Sequence, residues 1–115
     1  MSIERFGVGP RMSEAVAFGN LVFLSGEVAE DRSQDVAGQT RQILASIDET
    51  LAKAGTDKTK ILKANIWLAD IKDFNAMNGV WDAWVPQGNT PARATVEAKL
   101  AAPDILVEIM VVAAR

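Results

Sequence analysis

The sequence predicts an α+β fold in which a mixed sheet carries two helices on one face. Three observations predict it. The stretches 34–54 and 71–84 place apolar residues three and four apart, as a helix with one buried face requires. Around them run stretches that alternate apolar and polar residues with the period of a strand. The last of these strands is apolar on both faces, and two small helices on one side of a sheet cannot cover both.

The 115 residues suit a single domain spanning 1–115 with one core. Apolar residues make up 49% and charged residues 23%, far from the polar, highly charged composition of disorder, so the whole chain should fold. No repeat, low-complexity tract or linker interrupts it.

In chain order, EAVAFGNLVFL (14–24) reads as two short strands joined at Gly19-Asn20, residue types that accept the positive φ of a tight turn. Ile43, Leu44, Ile47 and Leu51 mark the buried face of the first helix, which Gly55 stops. ILKANIWLAD (61–70) follows as a strand with Leu62, Ala64, Ile66 and Leu68 on one face and Lys63, Asn65 and Trp67 on the other. A second helix starts near Asp70 or Ile71, carries Phe74, Met77, Asn78, Trp81 and Trp84 along one side, and ends at Pro86, Gly88 and Pro91. Two strands complete the chain: ARATVEAKL (92–100) and, beyond the turn Ala101-Ala102-Pro103-Asp104, ILVEIMVVAA (105–114). In the last, Ile105, Val107, Ile109 and Val111 oppose Leu106, Met110 and Val112, interrupted only by Glu108. An exposed apolar face of that extent predicts a homo-oligomer with pockets between subunits.

The composition narrows the chemistry. With no cysteine and no histidine there is no disulfide, thiolate nucleophile or imidazole base. The carboxylates are scattered rather than set at ligand spacing, so no metal or other cofactor is expected. A net charge of −3 with interspersed signs argues against nucleic acid as a partner. Residues 1–9 lack the pattern of a signal peptide and no apolar run is long enough to span a bilayer, so a cytoplasmic protein without a membrane partner is expected.

Carboxylates, hydroxyls, amides and arginine remain, and the informative ones interrupt apolar strands. Arg93 alternates with Thr95 and Glu97 on one strand face, and Glu108 breaks the apolar row of the next strand. If those strands pair, Arg93 would present its planar fork to a ligand carboxylate while Glu108, partly desolvated, activates a water. An intersubunit Arg93–Glu108 ion pair that binds nothing explains the same pattern. Ser25-Gly26 offers a hydroxyl and open backbone N–H groups to an anion, or is simply a bulged turn. Trp84, with Trp67 and Trp81, walls a pocket or is plain core. Asn78 is a polar break on the helical face, either a site residue or the donor or acceptor of a capping or core hydrogen bond.

Taken together, LVFLSGEVA (21–29), LAKAG (51–55), ILKANIWLAD, DFNAMN (73–78), TPARATVEAKL (90–100) and VEIMVVAA (107–114) resemble the RidA/YjgF family of reactive-intermediate deaminases. AMNGVWDAWV (76–85) followed by PARATVEAKL resembles its short YoaB-like bacterial branch. The resemblance covers nearly the whole chain. It implies a chorismate-mutase-like fold and a homotrimer whose sheets form a central barrel, with clefts between adjacent subunits. It also implies cofactor-free hydrolysis of 2-imino acids, of the 2-aminoacrylate and 2-iminobutyrate type, to 2-oxo acids and ammonia. By motif, the arginine that grips the substrate carboxylate falls on Arg93 and the glutamate that positions water on Glu108. The family's serine and glycine fall on Ser25 and Gly26, and its asparagine on Asn78. Two positions depart from the pattern: the cysteine two residues after the arginine is Thr95, and the aromatic residue at the N-terminal edge of the cleft is replaced around Met12. A non-catalytic binding protein for a small carboxylate metabolite is the alternative reading.

Overall fold

The computed structural model describes residues 1–115. Six strands form one mixed sheet: β1 (Ile3–Val8), β2 (Ser13–Phe18), β3 (Leu21–Leu24), β4 (Ile61–Leu68), β5 (Ala92–Glu97) and β6 (Val107–Ala114). Two helices, α1 (Val36–Lys53) and α2 (Phe74–Trp84), pack on one face. The strand order is β1-β2-β3-β6-β4-β5. No helix is long and apolar enough to cross a membrane.

Local chemistry accounts for most element boundaries. Gly19 adopts φ +61° in the two-residue hairpin that pairs Phe18 with Leu21, while Asn20 needs no positive φ. Asp35 caps α1 by accepting from the Gly38 N–H at 2.9 Å. Gly55, at φ +81°, lets the chain leave α1 in the left-handed conformation expected of a helix stop. The C-terminal end of α2 is closed by Lys58, whose Nζ donates to the Trp84 carbonyl at 2.8 Å.

The core lies between sheet and helices. Ala64, Ile66, Leu68, Val107, Ile109 and Val111 meet Ile43, Ile47, Leu51 and Met77 there, all essentially inaccessible to water. The opposite face has no helix over it. Phe18, Leu21, Phe23 and Val96 are exposed on that side, and Met110 and Val112 are half-buried. This is the uncovered apolar face that the last strand predicted.

Two expectations are corrected, and the condition set on the pairing of the last two strands is not met. β1 is a sixth strand, invisible to periodicity because it is an edge strand whose residues are nearly all exposed, with only Phe6 packed against the core. Leu62 does not face the core: a bulge between Ile61 and Lys63 turns it outward, leaving it 49% exposed, and Ile61 is buried instead. Finally, β5 and β6 do not pair. β4 lies between them, parallel to β5 and antiparallel to β6. The helix α2 supplies the long connection that a parallel pair requires.

Candidate functional site

The strand order divides the predicted site residues into two groups. Arg93 stands in register with Ala64, a core residue, so its side chain leaves the sheet on the helix side. Glu108 stands in register with Trp67 on the uncovered side. With β4 between their strands and opposite faces to occupy, the two do not converge within one chain.

The first group is built on the start of β5 and on α2. Pro86, Gly88 at φ +86° and Pro91 turn the chain from α2 into β5. Arg93 Nη1 donates to Asn78 Oδ1 at 2.8 Å. Its guanidinium carbon lies 5.2 Å from the centre of the Trp81 ring and 5.9 Å from that of Phe74, within cation–π range of both. No carboxylate pairs with it: the chain's ion pairs are Arg32–Asp104, Lys53–Glu14 and Arg115–Glu4. On the same face, two residues along, Thr95 Oγ1 is buried with no hydrogen-bond partner, the one side-chain polar atom in that condition.

The second group follows β3. Phe23 pairs with Val112 and Glu27 with Ile109, so four steps along this segment match three along β6. The extra residue is a β-bulge at Ser25–Gly26, resumed as regular pairing by Glu27 N–H to Ile109 carbonyl at 2.8 Å and the reciprocal bond at 3.1 Å. The bulge brings bare backbone under Glu108: a Cβ at Gly26 would fall on the Glu108 carboxylate. Ser25 also borders a cavity of about 260 Å³ with Met12, Glu14, Glu27 and Lys53. A bulged turn was one of two readings for Ser25-Gly26; the bulge is present and is also what seats Glu108.

Glu27 was not singled out from sequence. Burial pushes its carboxyl above the ordinary value, against a hydrogen bond from Ser46, while Glu14 adds to the rise. Its alternation with Ser25 across a bulge hid which face it would take. Phe74 and Trp81 were legible as neighbours of Asn78 on one helix side, but their contact with Arg93 depends on the β4–β5 pairing. Trp84 is not brought to Arg93. Its Nε1 donates to Asp48 Oδ2 at 3.0 Å and its ring borders an apolar groove of about 590 Å³ between α1 and α2, which none of Arg93, Ser25 and Glu108 lines. That groove is larger than the cavity beside Ser25 but holds none of the groups argued to do chemistry.

The six-stranded sheet backed by two helices belongs to a recognised class: residues 3–115 match the family described as Endoribonuclease L-PSP. The chain is a member of that family, also called YjgF or RutC, which is the RidA/YjgF family its motifs resemble. It is 46% identical to the RutC family protein YoaB of Escherichia coli, with 99% of both chains covered. It is 44% identical to a RutC family protein of Haemophilus ducreyi over 97% of this chain and 96% of that one. Among solved structures, a YjgF family protein of Neisseria meningitidis superposes with a TM-score of 0.97 at 52% identity, covering 100% of this chain and 96% of the other. A Mycobacterium tuberculosis member of the YjgF/YER057c/UK114 family gives 0.90 at 28% identity, covering 99% and 100%.

Proposed function

We propose that the protein hydrolyses small reactive 2-imino and 2-enamino acids to 2-oxo acids and ammonia, in a cleft that two subunits of a homotrimer build together. The observation that carries this is Arg93: a half-buried guanidinium held by an amide and two rings, given no anion by its own chain, beside an unpartnered Thr95 hydroxyl. A planar carboxylate suits Arg93 because it accepts two parallel N–H bonds from arginine. The two groups of residues supply the rest. Arg93, Asn78 and Thr95 of one subunit hold the substrate, and Ser25, Gly26 and Glu108 of the next face its reacting carbon. The uncovered apolar face with Phe18, Leu21 and Phe23 supplies the contact that brings subunits together.

In this mechanism Glu108 accepts a proton from water as the water oxygen bonds to the C=N carbon and the imine nitrogen takes up a proton. The resulting carbinolamine then loses its C–N bond. Glu108 returns its proton to the departing nitrogen, the hydroxyl proton is released, and 2-oxo acid and ammonia leave. An enamine enters the same path after protonation at carbon gives the imine. Imines already react with water, so orientation plus general-base help on the order of 10² to 10⁴-fold is sufficient, and neither histidine nor cysteine is needed.

The decisive experiment generates 2-iminobutyrate or 2-aminoacrylate with an amino-acid dehydratase and follows imine loss. Wild-type protein should accelerate decay and Arg93→Ala should not. Equal decay with and without wild-type protein rules out the deaminase and leaves binding of a carboxylate metabolite, to be read by titration with 2-oxobutyrate. The family description as an endoribonuclease has less support in this chain, whose net charge of −3 provides no basic track for phosphates.

A further inference from the structure

We infer that Phe74 and Trp81 are positioning residues for Arg93: their rings fix the guanidinium in the orientation that receives a ligand carboxylate. This rests on the reading that Arg93 binds one. Arg93 stands on an edge strand, where a long side chain without an ion-pair partner would sample several rotamers and have to be ordered at each binding event. Instead residues 74, 78 and 81, one helix face of α2, set a ring, an amide and a second ring against it. The ring centres lie 5.9 and 5.2 Å from the guanidinium carbon, and Asn78 Oδ1 takes one N–H. Its other donors make no bond within the chain, so they stay available at the edge of the guanidinium plane, where carboxylates bind.

The two rings are not equivalent. Trp81 is core, only 4% exposed, whereas Phe74 is 38% exposed where the 3₁₀ turn Ile71–Asp73 meets α2. A ring left that accessible contributes little to the core, so its contact with Arg93 accounts better for its placement. The quadrupole of each ring favours a cation on its face, and this attraction strengthens where water is excluded. A lysine at position 93 would keep the charge and lose both the planar stacking and the paired donors.

The test uses Phe74→Leu, which keeps an apolar side chain of similar bulk and removes the ring, and Phe74→Trp, which restores one. Binding of 2-oxobutyrate to the assembled protein is measured by calorimetry, and the Arg93 Nε–H resonance by NMR without ligand, assigned by its loss in Arg93→Lys. Phe74→Leu should weaken binding about threefold to tenfold and move the resonance away from its ring-shifted position, with Phe74→Trp recovering both. Wild-type affinity and an unmoved resonance in Phe74→Leu overturn the inference. So does weakened binding that an aromatic residue at 74 does not rescue, since that marks general packing. If wild-type protein shows no binding, the carboxylate reading falls and the positioning role with it. Binding by wild type that Phe74→Leu leaves unchanged removes only the inference.

Discussion

Gly26 and Glu27 adjoin the same bulge and should respond to substitution in opposite ways. A methyl group at Gly26 meets the flexible end of Glu108 rather than rigid backbone, so Gly26→Ala should fold normally and displace the carboxylate. We expect imine hydrolysis to fall by about 10² or more, the usual contribution of a general base, with the thermal midpoint little changed. Parallel activity and melting measurements on one preparation check this, and full activity would place Glu108 outside the reaction. Glu27 contributes a pH dependence of its own. Burial holds its carboxyl above the ordinary value, so the native state binds that proton more tightly than the unfolded chain does. Its contribution to stability therefore falls as pH rises from the ordinary carboxylate value through the raised one. Glu27→Gln should match wild type below that window and exceed it above, and denaturant midpoints across pH 4 to 8 would show a difference that opens with pH. Arg93 was legible in the sequence as the cation of a polar strand face, and Glu108 as the break in an apolar strand. Their separation onto opposite faces was not, since period-2 alternation gives faces within a strand and never between strands.

At the scale of elements, what the sequence hid was long-range pairing. α1 and α2 were legible from spacing and stop signals, and the β2–β3 hairpin from Gly19. The insertion of β4 between β5 and β6 leaves no local trace, and β1 buries too little to alternate. Gln39 illustrates the same limit. It is a polar residue on α1, fully buried, and it joins elements distant in sequence: the two N–H bonds of Nε2 are directed to the carbonyls of Gln34 and Asp104, each at 3.0 Å, with the Arg32 carbonyl sharing one of them at 3.3 Å, and Oε1 accepts from Leu106 N–H at 3.0 Å. That network ties the turn that leads into β6 to α1. Removing one partner from a buried network leaves several backbone groups unsatisfied, each at a cost of about 1 to 3 kcal/mol. Gln39→Ala should lower the unfolding free energy by about 2 to 4 kcal/mol in urea titrations. A change below about 0.5 kcal/mol, typical of surface sites, would show that water replaces the side chain.

For the whole molecule, the strand order carries the strongest consequence. A chain that places Arg93 on the helix side and Glu108 on the bare side cannot assemble both around one substrate. The bare face is apolar enough to be covered by another subunit, and Phe23→Asp should break that contact, giving smaller particles in sedimentation with helical content retained and deamination lost. Mixing tests the shared cleft more directly. In the proposed trimer, Arg93→Ala and Glu108→Gln should each be inactive. Refolded together in equal amounts, random trimers place a Glu108→Gln chain, with its intact Arg93, beside an Arg93→Ala chain, with its intact Glu108, in the productive order at about one cleft in four. Activity should therefore return to roughly a quarter of wild type, because each intact residue comes from a different subunit. Were Arg93 and Glu108 to act from the same chain, every cleft in the mixture would still lack one of them, and no activity would return.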